Sequence, residues 1–69
     1  MLVSQVTERV ERYLKDHKVN LLDLSKKTGI TYTQLYNSVG NKKRVRELRA
    51  DEFLSICKAL EVRVETFIE

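Results

Sequence analysis

The sequence predicts a single all-α domain of four to five helices over residues 1–69. It contains no proline and only two glycines, so long stretches can remain helical. Its apolar residues recur at intervals of three and four, which places them on one face of a helix. A chain of this length forms one compact core and buries only ~60% of the surface that its unfolded chain exposes.

The first two helices are indicated by apolar spacing and by end signals. The inward face of the first helix comprises Val3, Val6, Val10, Tyr13 and Leu14. A second helix is predicted over residues 21–28. Asn20 is placed to cap its first turn, and Gly29 follows where a helix commonly ends in the left-handed conformation.

A third helix is predicted to begin after Thr31. Thr31 and Gln34 have the three-residue spacing of a capping box, in which each side chain bonds the other's backbone N–H. The inward residues of this helix are expected to be Leu35 and either Ser38 or Val39.

Gly40 is expected to end the third helix, and a basic loop over residues 41–49 follows, anchored to the core by Val45 and Leu48. A fourth helix is predicted over about residues 50–60, with acidic residues in its first turn favourable to the helix dipole. Its buried stripe is expected to comprise Phe53, Ile56, Cys57 and Leu60. A short fifth helix is indicated by Val64, Phe67 and Ile68.

Positive charge is concentrated in the middle of the chain. Residues 26–49 hold seven basic side chains and one acidic one, a net charge of +6, within a chain whose total is +3. Residues 1–25 are neutral and residues 50–69 carry −3. This pattern is expected when one face meets a polyanion, and a solvated surface of uneven charge is the alternative.

Composition excludes several kinds of site. One cysteine and one histidine form neither an intrachain disulfide nor a structural zinc site. No apolar run approaches the ~18 residues that span a bilayer. No catalytic nucleophile–base pair or phosphate-binding glycine loop is evident. We therefore expect a cytoplasmic protein that is not an enzyme, with no catalytic residues, metal, cofactor, small-molecule ligand or membrane contact. Cys57 is expected to act as a small buried hydrophobe.

Two short helices joined by a tight turn at Gly29 fit a helix-turn-helix, whose second helix enters the DNA major groove. Residues 24–35 (LSKKTGITYTQL) and 53–62 (FLSICKALEV) resemble the Cro/C1-type, lambda-repressor-like helix-turn-helix family. This resemblance implies a compact lambda-repressor-like DNA-binding domain, bacterial or phage-encoded and nucleoid-associated. The chain departs from the family pattern at Ser25, where Ala is usual, at Thr28, where a large apolar residue is usual, and at Glu61, where a terminating Gly is common.

Base contacts are predicted on the outward face of the third helix, opposite Leu35. The residues are Tyr32, Thr33, Tyr36 and Asn37, and the resemblance places base-edge contacts at the same positions. Asn37 can pair with adenine, Thr33 can bond base edges, and the tyrosines can touch a thymine methyl, a sugar or a phosphate. The alternative is that one tyrosine, Tyr36 before Tyr32, packs in the core.

Contacts to the DNA backbone are predicted for Thr31, Gln34, Lys42, Lys43, Arg44 and Arg46. The amino end of the third helix offers backbone N–H groups to phosphate, and the cations that follow supply affinity that falls with salt. Gln34 is expected chiefly to complete the cap, with DNA contact secondary. Arg49 is left out because acidic residues nearby can pair with it.

The sequence thus predicts a transcriptional regulator that binds double-stranded DNA, most plausibly a repressor that binds as a homodimer. The carboxyl-terminal apolar residues are expected either to form the dimer surface or to close the core: Val62, Val64, Phe67 and Ile68. The alternative function is a protein-interaction module, antitoxin-like or an adaptor. An RNA binder is a further alternative, although aromatic platforms for splayed bases are not obvious.

Overall fold

The computed structural model describes residues 3–40 and 46–68, and it confirms the all-α fold class. The helices are α1 (Val3–Asp16), α2 (Leu21–Thr28), α3 (Tyr32–Leu35), α4 (Ala50–Leu60) and α5 (Glu65–Ile68). A π-helical segment, Tyr36–Gly40, continues α3 directly, and we call the two together the third helix. The described residues contain no strand, and none of their helices is both long and apolar enough to cross a membrane.

The ends of α2 confirm the two signals that predicted them. The Asn20 side-chain oxygen accepts the N–H of Leu22 at 2.8 Å and that of Asp23 at 3.3 Å. Gly29 has φ +78°, and its N–H donates to the Ser25 carbonyl at 2.9 Å. Because the side-chain cap and the glycine satisfy backbone groups at opposite ends, an eight-residue helix ends sharply on both sides.

The core gathers residues from every helix. Its buried apolar members are Val10, Leu14, Leu24, Ile30, Leu35, Val39, Leu48, Ile56, Cys57 and Phe67. Helix α1 contacts the π-helical segment and α5, while α2 contacts α3 and α4. Of the stripe predicted on α4, Ile56 and Cys57 are buried, whereas Phe53 and Leu60 are half-buried at the edge of the core.

The π-helical segment explains an ambiguity in the sequence. Ser38 and Val39 are both buried, although they are consecutive and only one was expected to face inward. The Ser38 hydroxyl donates to the carbonyls of Gln34 at 2.8 Å and Leu35 at 3.2 Å, which satisfies it inside the core. The wider turn brings two successive residues to the same side, and the segment ends at Gly40 as predicted.

The chain returns to the core after the basic loop through Leu48. Its side chain is buried, and its N–H donates to the hydroxyl of Thr7, itself fully buried on α1, at 3.2 Å. This confirms Leu48 as an anchor. Val45, the other predicted anchor, lies outside the described residues.

The carboxyl end closes the core. Phe67 is 1% exposed and packs edge-on against Tyr13 at 5.4 Å and Phe53 at 5.8 Å between ring centroids. Its carbonyl accepts a hydrogen bond from Arg9 Nη1 at 3.1 Å. Of the two roles expected for the carboxyl-terminal apolar residues, Phe67 therefore takes the second, because it is covered within its own chain and closes the core.

Candidate nucleic-acid interface

The turn between α2 and the third helix is fixed by two hydroxyl groups. Ser25 Oγ donates to the Ile30 carbonyl at 2.6 Å. Thr28 Oγ1 donates to the Leu24 carbonyl at 2.8 Å and accepts the Ile30 N–H at 3.2 Å. At these two of the three departures from the family pattern, a polar side chain bonds the backbone at or next to the turn, where an apolar residue would only pack. These bonds fix the angle at which the third helix leaves α2.

The capping box at the start of the third helix is confirmed. Thr31 Oγ1 accepts the Gln34 N–H at 3.2 Å, and Gln34 Oε1 accepts the Thr31 N–H at 3.3 Å. Thr31 therefore has no free N–H to offer a phosphate, and the next two amides of the helix are the available donors. Gln34 retains its amide NH2 group on the exposed surface.

The outward face of the third helix consists mainly of the residues predicted there. Tyr32 is 48% exposed and Tyr36 is 42% exposed, so neither ring packs in the core. Thr33 is also exposed, whereas Asn37 is half-buried. Leu35, on the opposite side, is fully buried, which confirms the orientation of this helix.

The two tyrosine rings lie beside each other. Their centroids are 6.3 Å apart and their planes differ by 22°, a parallel arrangement of aromatic side chains. They stand one helical turn apart on a surface that the other described residues leave exposed. The rings therefore present one continuous apolar surface instead of two independent side chains.

Arg46 forms an ion pair within the protein. Its Nη2 donates to Glu52 Oε1 at 2.8 Å and Oε2 at 3.0 Å, and the side chains are 27% and 11% exposed. Its Nη1 is buried with no hydrogen-bond partner in the described residues. Its N–H donates to the Asn37 carbonyl at 3.2 Å. Arg46 thus ties the end of the basic loop to the third helix and to α4, which gives it a structural role, and its contact with the DNA backbone stays a prediction.

The contacts of Glu52 with Arg46 and with the Arg49 backbone were not predicted from the sequence. Besides holding Arg46, Glu52 Oε1 accepts the Arg49 N–H at 3.0 Å, as an N3 glutamate does in a capping box. The sequence signal for this capping contact is the position of Glu52, three residues after Arg49 at the start of a helix. Arg49 itself pairs with Asp51 at 3.6 Å on the exposed surface, as expected.

The positive charge available to DNA is smaller than the sum over residues 26–49 indicates. Arg46 and Arg49 are paired with carboxylates, and Lys26 and Lys27 lie exposed on the last turn of α2. The predicted backbone contacts Lys42, Lys43 and Arg44 lie outside the described residues. The electrostatic prediction therefore depends chiefly on these three cations.

Comparison with known protein families decides the classification. A family model described as the Cro/C1-type HTH DNA-binding domain matches residues 9–69. The chain belongs to the Cro/C1-type helix-turn-helix family. Membership supports DNA binding by the helix-turn-helix formed by α2 and the third helix, in a family that is typically not enzymatic. No curated protein and no solved structure matches the chain.

Proposed function

We propose that this protein is a sequence-specific regulator of transcription that places its third helix in the major groove of a double-stranded DNA operator. One observation carries the proposal: a capped helix follows a fixed turn and exposes Tyr32, Thr33 and Tyr36 on the face opposite buried Leu35. This is the arrangement by which a helix-turn-helix presents side chains to base edges.

Within the proposed interface, base reading is divided among four side chains. Thr33 bonds a base edge, and Asn37 pairs with the N6 and N7 groups of adenine. Asn37 is half-buried, so only the exposed part of its side chain is available to a base edge. Tyr32 and Tyr36 contact neighbouring bases or their sugars.

Backbone contacts in the proposal come from two places. The amino end of the third helix, with Gln34 beside it, faces one phosphate. Lys42, Lys43 and Arg44 reach the flanking phosphates and supply the salt-dependent part of the affinity. The protein acts as a repressor by occupying its operator and blocking polymerase.

The proposed regulator binds as a two-fold homodimer, with half-sites about one helical turn apart. The apolar side chains left exposed on α4 and α5 are Leu54, 55% exposed, and Ile68, 37% exposed. They support a small contact between copies. Sedimentation at micromolar concentration, with and without operator DNA, tests this: a monomer in both conditions refutes the dimer.

The experiment that tests the proposed function is selection from a random duplex library, followed by binding at two salt concentrations. An enriched palindrome and a steep salt slope are expected. Asn37→Ala should lose preference at one base, about 1–3 kcal/mol of discrimination. Lys43→Ala should instead weaken all sequences equally and lower the salt slope by about 0.9.

The selection and binding experiments also distinguish the alternative functions. If no sequence is enriched and binding does not depend on salt, the protein-interaction alternative is correct. If single-stranded RNA competes better than duplex DNA, the tyrosine pair serves as a platform for splayed bases.

A further inference from the structure

We propose that Gly40 holds the ring of Tyr36 beside that of Tyr32, and that the ring pair reads the C5 methyl groups of two thymines in the operator. This inference rests on the proposed function and names what its recognition surface selects. It begins from three features: a glycine with no room for a side chain, two parallel rings, and their exposure.

Gly40 is a glycine for reasons of space. In contrast to Gly29, it does not have a positive φ, so its backbone does not require glycine. A Cβ at this position would lie 3.1 Å from Cδ1 of the Tyr36 ring and 2.8 Å from Cδ1 of Leu21. The Leu21 methyl ends a flexible side chain that can rotate away. Cδ1 of the Tyr36 ring is the ring atom nearest to that position, so a Cβ there requires the ring to shift by a few tenths of an ångström.

The position of Tyr36 determines that of the pair. The ring lies close to Gly40 and is within 22° of parallel to the Tyr32 ring, with 6.3 Å between centroids. The two side chains therefore lose little rotamer freedom when DNA covers them, because the protein has already ordered them. Packing of the rings against each other, and of Tyr36 near Gly40, favours this arrangement.

The chemistry of the major groove indicates what this surface recognises. Base edges present hydrogen-bonding groups there, and the C5 methyl of thymine is the apolar group. Two half-exposed rings offer a large apolar surface to such methyls. Their centroids lie 6.3 Å apart, so each ring can meet the methyl of a different base. The pair thus offers one apolar surface to two thymine methyls in the groove.

The test uses the duplex enriched by selection and removes one methyl at a time. Each thymine is replaced in turn by deoxyuridine, which keeps the base pair and lacks only the C5 methyl. Binding of the full chain should weaken about fourfold at each of two thymine positions, the effect of one buried methyl. Substitution at other positions should change binding by less than twofold.

Three variants show which atoms are responsible. Tyr36→Phe keeps the ring and should retain the fourfold thymine preference, whereas Tyr36→Leu should lose it at one position. Gly40→Ala should displace the ring, weaken the Tyr32–Tyr36 ring contacts seen by NMR, and reduce the preference to below twofold. Its binding to random duplex DNA should remain as in the unmodified protein, which a general loss of structure would not allow. If Gly40→Ala does not fold, the two Tyr36 variants still decide the reading of methyls.

The outcomes are distinct. If a duplex is enriched but deoxyuridine at every position leaves its binding within twofold, the methyl reading is refuted while the proposed function stands. If Tyr36→Phe loses the preference as fully as Tyr36→Leu, the hydroxyl and not the ring makes the contact. If Gly40→Ala keeps both the ring contacts and the preference, Gly40 has no positioning role. If no duplex is enriched, the proposed function fails, and this inference fails with it.

Discussion

Replacing Arg46 by alanine should destabilise the fold without changing how DNA binding depends on salt. The guanidinium makes two hydrogen bonds to Glu52, at 2.8 and 3.0 Å, and both side chains are largely buried. Removing it leaves the Glu52 carboxylate, 11% exposed, with only the Arg49 N–H as a described partner. Breaking a fully buried pair costs about 3–5 kcal/mol, and the 27% exposure of Arg46 reduces this to about 2 kcal/mol.

That loss is large for a chain of 69 residues, whose total stability is expected to be about 3–10 kcal/mol. It corresponds to a fall in Tm of about 8–16 °C. Urea titration with a common m-value measures it, and the double variant with Glu52→Ala measures the coupling. The double variant should be more stable than the two single losses predict, because neither charge is then left unpaired.

Arg49→Ala is the matched control. Its pair with Asp51 spans 3.6 Å between side chains that are 74% and 75% exposed, so its loss should cost no more than about 0.5 kcal/mol. The reasoning is refuted if Arg46→Ala unfolds like this control and also lowers the salt slope by about 0.9, as loss of a phosphate contact does. Arg46 would then be a DNA-binding cation.

Three further predictions concern the scaffold of the interface. Glu61 ends α4 with φ 58°, so Glu61→Gly should stabilise the protein by about 0.5–1 kcal/mol in thermal unfolding, whereas Glu61→Ala should not. Thr7→Val should cost about 1–3 kcal/mol in urea titration because the Leu48 N–H loses its acceptor, and Thr7→Ser, which keeps the hydroxyl, should cost less. Burial raises the pKa of the Cys57 thiol. The stability that the buried neutral thiol contributes to the fold is therefore present below the thiol's ordinary pKa and is lost as the pH rises above it. The free energy of unfolding should therefore fall more between pH 7 and pH 10 in the unmodified protein than in Cys57→Ala, and an equal fall in both would contradict this.

The helix ends that the sequence predicted best are those set by local chemistry. Asn20 and Gly29 determine the ends of α2 through bonds to residues no more than four positions away. The capping box of Thr31 and Gln34 is equally local. Such signals are visible in a single sequence because both partners lie in the same short window.

The sequence was less informative where the partner lies beyond one helical turn or where the backbone departs from an α-helix. Arg46 was one cation among several in a basic stretch, and only the folded chain brings it to Glu52. The apolar pattern cannot distinguish an α turn from a π turn, so it allowed only one of Ser38 and Val39 to be buried. Phe67 was ambiguous for a similar reason, since an apolar residue near a terminus can cover its own core or another chain.

These findings also change how the basic region should be understood. A net charge of +6 over residues 26–49 treats every cation as equivalent, yet Arg46 and Arg49 are neutralised by carboxylates at the start of α4. A separate hydrogen bond fastens the end of the loop to the third helix: the Arg46 N–H donates to the Asn37 carbonyl. In the proposed complex, Arg46 therefore contributes by positioning the third helix, and the cations before it in the loop contribute by attraction to phosphate. Stability and salt dependence should accordingly respond to different substitutions within one basic segment.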